Sequence, residues 1–291
     1  MTESPGVRVR ELITAATTTL SDAGIDSART DAELLAAHVA GIARGRLAVA
    51  DDLGDGFLER YTRAVEIRAG RVPLQHITGT AAFGPIELEV GPGVFIPRPE
   101  TEAVLEWAAA QQLPQPPVIV DLCTGSGALA IALAACHPGA RVLAIDDDPG
   151  ALRYARSNVR CNAAAAEAVQ VLELDVTHAG LLPELDGSVD LVVSNPPYIP
   201  DDVELEPEVA QHDPSHALFG GPDGMAVIGP VAGHAARWLR DGGLLAIEHD
   251  DTTSEATVRT LTATGAFDNV IAHCDLTGRP RFVTARRTQR R

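Results

Sequence analysis

The sequence predicts an α/β protein in which a small all-helical front precedes a doubly wound, mostly parallel sheet. Three observations point to that class. From Pro99 onward, apolar runs of strand length alternate with stretches of helical periodicity. The hydrophobic content is 45% with aromatics at only 4%, so the core is built from small aliphatic side chains, which suits helices laid on a sheet. At 291 residues the chain can also fill one large domain and a smaller one.

The elements follow in order. Residues 1–72 read as helices only, a bundle in which Leu12, Ile13, Ala16 and Leu20 share one face and Gly24 stops the helix. A second helix places Leu34, Leu35, His38, Val39 and Ile42 together, and a third Phe57, Tyr61, Ala64, Val65 and Arg68. His38 is expected to be a core or boundary histidine, because no second ligand type lies a turn away. Residues 73–97 change to short alternating segments punctuated by Gly84-Pro85 and Gly91-Pro92-Gly93, a hairpin linker. Residues 98–291 then carry a helix from about 101 to 111, opened by Pro99 and two Glu residues that suit the helix dipole. Strand "PVIVDLC", helix 127–136, strand "RVLAID", helix 151–161 and strands "VQVLEL" and "VDLVVS" come next. Helix 227–239, strand "GLLAIEH", helix 254–264 and two last strands near 270–274 and 281–285 complete the pattern.

Charge narrows the partners. Forty acidic residues against 23 basic ones, all of them Arg, give a net charge of −17. A phosphate-backbone binder needs a positive face to replace condensed counterions, so no direct nucleic-acid contact is expected. Arg286, Arg287, Arg290 and Arg291 read as a solvated tail. Cys123, Cys136, Cys161 and Cys274 form no close pair and are expected to be reduced, mostly buried thiols. The N-terminal stretch lacks an apolar signal core, and the longest apolar run, around 128–136, is far short of the ~20 residues that cross a bilayer. A soluble, cytoplasmic chain without a membrane partner is therefore expected. The histidines show no metal-ligand spacing, and the acids of "DDDP" and "DDVELEPE" read as solvated faces, so no metal is expected.

Chemistry concentrates at two strand ends. The first strand runs into "DLCTGSGALA", where Gly125 and Gly127 let a ligand approach the backbone. The next strand ends at Asp146, nineteen residues beyond Gly127, the spacing at which an acid reaches ribose hydroxyls. Ala130 stands where a dinucleotide fold often has its third glycine, a permitted replacement, so a dehydrogenase survives that test. Asp121 argues otherwise: it would repel a pyrophosphate but accept from an ammonium, and S-adenosylmethionine has an ammonium and no phosphate. The fourth strand ends "VVSNPPYIP", at the edge where open parallel sheets bind ligands. Asn195 and the Pro196 carbonyl offer two acceptors for one planar NH2 group, and Tyr198 offers a face to stack on. Acceptors that hold those hydrogens favour a pyramidal nitrogen and aim its lone pair at an electrophile. Amide and nucleobase are equally good guests at this point.

These residues resemble the class I S-adenosylmethionine-dependent methyltransferases. "RVPLQHITG", "FIPRPETE", "DLCTGSG", "SNPPYIP" and "GGPDGM" together resemble the HemK/PrmC-type methyltransferases that modify the glutamine of the Gly-Gly-Gln motif in peptide-chain release factors, and the resemblance runs on to "DLTGRPRFV". It implies a Rossmann-like class I methyltransferase domain with a seven-stranded mostly parallel sheet, a helical N-terminal domain that grips the release factor, and a hairpin linker. It also implies that Asn195 and Pro196 accept from the glutamine amide, that Pro197 and Tyr198 flank it, and that Asn195 borders the cofactor as well. Asp121, Cys123, Thr124, Gly125, Ser126 and Gly127 would cradle the methionine end of S-adenosylmethionine, with Asp146 on the ribose and Asp175 and Val176 by the adenine. A monomer is expected. Two departures stand out. Cys123 replaces a common glycine, so its thiol should point away from the cofactor, and "AIEHDD" replaces a Glu-Ile-Gly type ending. No base is required of His249, because a sulfonium leaving group is already activated. A nucleobase amino methyltransferase is the rival opposed by the charge. A ribosomal-protein glutamine methyltransferase is opposed by "PETE" after Arg98.

Overall fold

Small side chains set the helical part of the molecule. The computed structural model describes residues 5–50, 53–163, 165–275 and 278–289. Arg290 and Arg291 of the expected tail, and Leu276 and Thr277 of "DLTGRPRFV", lie outside the described residues. The chain divides into two units, one of Met1–Thr80 with Glu206–His212, the other of Ala81–Leu205 with Asp213–Arg291. The first contains α1 (Pro5–Asp22), α2 (Ala28–Ala40), α3 (Phe57–Ala69) and α4 (Leu74–Thr78), the last of these within the stretch read from sequence as linker. Its core gathers Ile13, Leu20, Leu35, Tyr61 and Val65. On α2 the buried face is Ala28, Ala32, Leu35 and Ala36, and His38 is exposed, contrary to the face expected from the larger apolar residues. Alanines let the neighbouring helices approach closely, and the Tyr61 hydroxyl donates to the Ala32 carbonyl at 2.9 Å.

A buried guanidinium needs acids around it. Arg68 on α3 is buried and pairs through Nε with the buried Asp31 at 2.7 Å. Its Nη1 lies 3.0 Å from Glu208, which also pairs with Arg71 at 3.2 Å. Glu208 belongs to a short helix, α8 (Pro207–His212), in the acidic run that reads as a solvated face. That expectation is corrected here: Glu208 is partly buried and completes the ion cluster of the helical unit.

In the second unit a two-stranded hairpin, β1 (Thr80–Phe83) and β2 (Ile86–Glu89), precedes a seven-stranded sheet. The sheet strands are β3 (Val118–Leu122), β4 (Arg141–Asp146), β5 (Val169–Glu173), β6 (Val189–Ser194), β7 (Leu239–Glu248), β8 (Phe267–Cys274) and β9 (Pro280–Arg287). They lie in the order β5-β4-β3-β6-β7-β9-β8, parallel except where β9 pairs with β7 and β8. Every residue of β6 is buried, as a strand between two covered faces should be, and its one charged residue, Asp190, accepts from Val118 N at 2.8 Å. One face carries α5 (Glu102–Ala109), α6 (Ala128–Cys136) and α7 (Pro149–Cys161), with Val104, Leu129, Ile131 and Val159 in its core. The other carries α9 (Ile228–Trp238) and α10 (Ser254–Ala263), with Val231, Trp238 and Leu261.

Two sequence expectations change. Arg286 and Arg287 are not tail residues; they extend β9 opposite Leu244 and Phe267. Cys136, Cys161 and Cys274, each the last residue of its helix or strand, are exposed. Among the described residues no helix is long and apolar enough to cross a membrane, and no cluster of His, Cys, Asp or Glu could hold a metal ion.

The strand order reverses between β3 and β6, which is where open α/β sheets form their crevice. Leu122 pairs with Ser194 in parallel register, so the two motif-bearing strands end level with each other.

Candidate active site

Beyond β3 the backbone turns sharply through Cys123–Gly127. Thr124 N donates to the Ile145 carbonyl at 3.0 Å, and Gly125 N donates to Asp146 Oδ2 at 2.8 Å. Asp146 Oδ1 accepts from Asp148 N at 3.0 Å. Gly125 and Gly127 both hold left-handed backbone, with φ of 56° and 87°. A Cβ on Gly125 would meet nothing within 4 Å, so that side of the loop is open, whereas on Gly127 it would meet Ile131 at 3.1 Å. One glycine leaves room for a ligand and the other lets α6 pack.

Asn158 on α7 is buried and holds this loop in place, a role that nothing in its local sequence signals. Its Nδ2 donates to the Ser126 and Glu89 carbonyls, each at 3.0 Å, while its Oδ1 accepts from Glu89 N at 2.7 Å. Asp121 is only 1% exposed. Its Oδ2 accepts from Thr124 Oγ1 at 2.6 Å and Ala130 N at 3.0 Å, and its Oδ1 has no partner. Burial pushes its pKa up to about 7 against those two bonds, and the Asp146 charge adds to the rise. Burial also raises Asp146, against the Asp148 and Gly125 amides. Such a carboxylate gains from any cation that reaches it.

Cys123 stands in left-handed backbone with φ 59°, and its partly buried side chain packs with the core on the α9 side of the sheet. Burial first, then the charges of Asp146, Asp121 and Asp147, keep the thiol pKa well above its ordinary value, so the group stays protonated. A Cβ in that backbone costs about 1–2 kcal/mol, partly offset by the extra entropy a glycine loses on folding. Cys123→Gly is therefore expected to raise stability by about 1 kcal/mol in chemical denaturation. A loss of stability would show that the thiol's packing outweighs the strain.

After β5, Asp175 Oδ1 accepts from Thr177 N at 2.8 Å and Thr177 Oγ1 at 2.6 Å, which lowers its pKa. The neighbouring Val176 is buried, and its carbonyl accepts from His234 Nε2 of α9 at 2.9 Å. His216 Nε2 lies 2.7 Å from Asp147, and its charge also acts on Asp175. Asp175 thus shares one rim with the turn that follows β4.

The corner after β6 is tied directly to the glycine loop, because Ser194 Oγ donates to the Leu122 carbonyl at 2.8 Å. Asn195 Nδ2 donates to Thr101 Oγ1 at 3.1 Å. Neither Asn195 Oδ1 nor the Pro196 carbonyl has a partner among the described residues. Tyr198 donates from its hydroxyl to Glu248 Oε1 at 2.9 Å. Burial, then the Glu248 charge, holds the Tyr198 pKa well above its ordinary value. Glu248 closes β7 and is itself 1% exposed. Burial pushes its pKa up to about 7 against the Thr101 and Tyr198 hydroxyls and the Arg281 charge. Its Oε2 has no hydrogen-bond partner among the described residues. His249 is also buried; its Nδ1 donates to the Asp250 carbonyl at 2.7 Å, and burial lowers its pKa and keeps it neutral. Thr101 and Glu248 lie inside "PETE" and "AIEHDD", and their sequence context assigns neither a task.

The reason for "GGPDGM" is steric. Ile199 N donates to the Leu218 carbonyl and Gly220 N to the Ile199 carbonyl, each at 2.9 Å, which lays this segment against the corner. A Cβ on Gly220 would sit 2.5 Å from the Pro197 carbonyl oxygen, and one on Gly224 only 2.2 Å from that of Tyr198. Only glycine allows the two backbones so close. The assembled crevice offers free acceptors for a planar NH2 group beside a glycine loop lined by carboxylates.

Known proteins resemble this chain over nearly its whole length. A family model described as the PrmC N-terminal domain matches residues 11–79, and one described as a methyltransferase small domain matches residues 104–212. The chain is 64% identical to the release factor glutamine methyltransferase of Mycolicibacterium smegmatis, over 97% of this chain and 99% of that protein. It is 60% identical to the protein of the same name from Mycobacterium tuberculosis, over 96% and 91%. Among solved structures, the hMettl16 catalytic domain in complex with MAT2A 3'UTR hairpin 6 aligns with a TM-score of 0.52 at 16% identity, over 77% of this chain and 81% of that one, a likeness of fold alone. With near full-length coverage at that identity, the chain belongs to the release factor glutamine methyltransferase family.

Proposed function

We propose that the protein methylates the side-chain amide nitrogen of the glutamine in the Gly-Gly-Gln motif of peptide-chain release factors, in the cytoplasm, with S-adenosylmethionine as donor. The observation that carries this reading is the Asn195 carboxamide, turned by Thr101 so that its Oδ1 is free one residue beyond the Ser194 tie to the glycine loop. The names of the full-length relatives support it. When bound, S-adenosylmethionine supplies a methyl group on a positively charged sulfur that departs as a neutral thioether.

The residues present fit that donor. Asp121 Oδ1 is a buried acceptor without a partner, suited to an ammonium, and the open face of Gly125 leaves the loop backbone accessible. In this reading Cys123, Thr124, Ser126 and Gly127 hold the loop around the methionine end, Asp146 serves the ribose, and Asp175 and Val176 border the adenine. Asn195 Oδ1 and the Pro196 carbonyl accept the two hydrogens of the glutamine amide, which favours a pyramidal nitrogen with its lone pair free. Pro197 and Tyr198 enclose the side chain, and the amide proton is lost after transfer. The helical unit serves as the docking surface for the release factor, and the chain works as a monomer.

Incubating the purified protein with methyl-labelled donor, a release factor and its Gln→Ala form is expected to place label on the first and not on the second. Label on RNA or DNA, with none on the release factor, would overturn this reading in favour of a nucleobase substrate.

A further inference from the structure

One buried side chain of α7 ties the hairpin to the glycine loop, and its own orientation is fixed. Glu89, the last residue of β2, presents both its N–H and its carbonyl to the Asn158 carboxamide. The N–H, at 2.7 Å, selects Oδ1 and the carbonyl, at 3.0 Å, selects Nδ2, so the group cannot turn over without losing both bonds. Its second Nδ2 hydrogen is thereby aimed at the Ser126 carbonyl, 3.0 Å away. The same side of α7 meets the hairpin end turn after turn. Ser157 Oγ donates to Glu89 Oε2 at 2.8 Å and the Tyr154 hydroxyl to the Pro92 carbonyl at 3.4 Å, while a Cβ on Gly150 would lie 3.2 Å from the Gly93 carbonyl oxygen. The helix begins at the Asp146 turn, where Asp148 caps it. A single helix thus joins the hairpin, the acid turn and the glycine loop.

Ser126 stands between Gly125 and Gly127, whose backbones rotate freely for want of a Cβ, so its peptide needs a hold from outside the loop. Released from Asn158, the Ser126 carbonyl could turn to water. The donor would then meet a correctly folded loop only part of the time, and its apparent affinity would fall by that fraction. We propose that the hairpin is part of the donor-binding machinery: Glu89 fixes the Asn158 carboxamide, and Asn158, a positioning residue, holds the Ser126 carbonyl toward α7 so that the glycine loop is preset for S-adenosylmethionine. The inference rests on the reading above that this loop takes that donor.

Asn158→Leu, which keeps the branching of the side chain and removes its three bonds, tests this in the full chain. Calorimetry is expected to show donor affinity weakened at least about tenfold, with turnover on release factor at saturating donor within about threefold of wild type. Val159→Ala, at a buried apolar neighbour on the same helix, should lower the melting temperature and leave donor affinity within about twofold. The unaltered protein offers a second measurement, because linkage is reciprocal: donor binding should slow hydrogen exchange in peptides spanning residues 86–94 at least about fivefold. Wild-type affinity in Asn158→Leu, an equal loss in Val159→Ala, or unchanged exchange at the hairpin would each overturn the proposal alone. A wild-type protein that binds no S-adenosylmethionine would overturn the donor reading, and the proposal with it.

Discussion

Asn195→Ala is expected to lower turnover on release factor by about 10²–10³-fold while S-adenosylmethionine binds within about twofold of the wild-type affinity. The carboxamide oxygen of Asn195 has no hydrogen-bond partner among the described residues, while its Nδ2 is held by Thr101. In the reading proposed above, the donor is held elsewhere, by Asp121, Asp146 and the glycine loop, whose mutual bonds do not involve Asn195. Removing Asn195 should therefore subtract an interaction with the amide and leave the cofactor loop intact. Steady-state rates with calorimetry on the same sample separate the two effects. A matched loss of donor binding would assign Asn195 to the cofactor instead of the substrate.

Gly224→Ala is expected to have a comparable effect on activity through a different cause. At φ 72° an L residue is strained by about 1–2 kcal/mol, and the new Cβ would also lie 2.2 Å from the Tyr198 carbonyl oxygen. That neighbour is backbone and cannot swing away, so the corner must move or the segment must detach. A total loss of about 3 kcal/mol is expected, by analogy with overpacked cores, together with a fall in turnover of about 10²-fold from the displaced corner. Gly242→Ala is the control. It shares the left-handed backbone at φ 76° but has nothing within 4 Å of the added carbon, so it should show the dihedral cost alone, with normal turnover. Equal effects at both positions in thermal denaturation and rate measurements would remove the steric argument.

Much of this was legible in the sequence because it rests on local pattern. The apolar Leu191, Val192 and Val193 of β6 and the alternation after Pro99 are properties of neighbouring residues, and they return as a mostly parallel sheet. The glycine loop and the Asn-Pro-Pro-Tyr corner also announce themselves locally, and the Leu122–Ser194 register brings them side by side. What stayed hidden depends on partners far along the chain. Glu248 meets a tyrosine fifty positions away, and Asn158 reaches β2 across sixty-nine. Nothing in "AIEHDD" or in the second half of α7 marks either contact. The buried face of α2 was misplaced for a different reason, since alanines count little on a hydrophobicity pattern yet bury fully when helices pack closely.

Glu208 carries a consequence for how this chain is made and altered. The cation cluster of the helical unit, Arg68 and Arg71, finds one of its acids more than a hundred positions later, after all of β3 to β6. Among the described residues, the first eighty offer Arg68 the ion pair with Asp31, and the Glu208 charge is added only after β3 to β6 have been synthesised. The same holds at the bench. A chimera that exchanges the helical unit between relatives must carry two pieces of chain, the N-terminal helices and the short helix around Glu208, or leave a buried guanidinium short of one of its counter-charges.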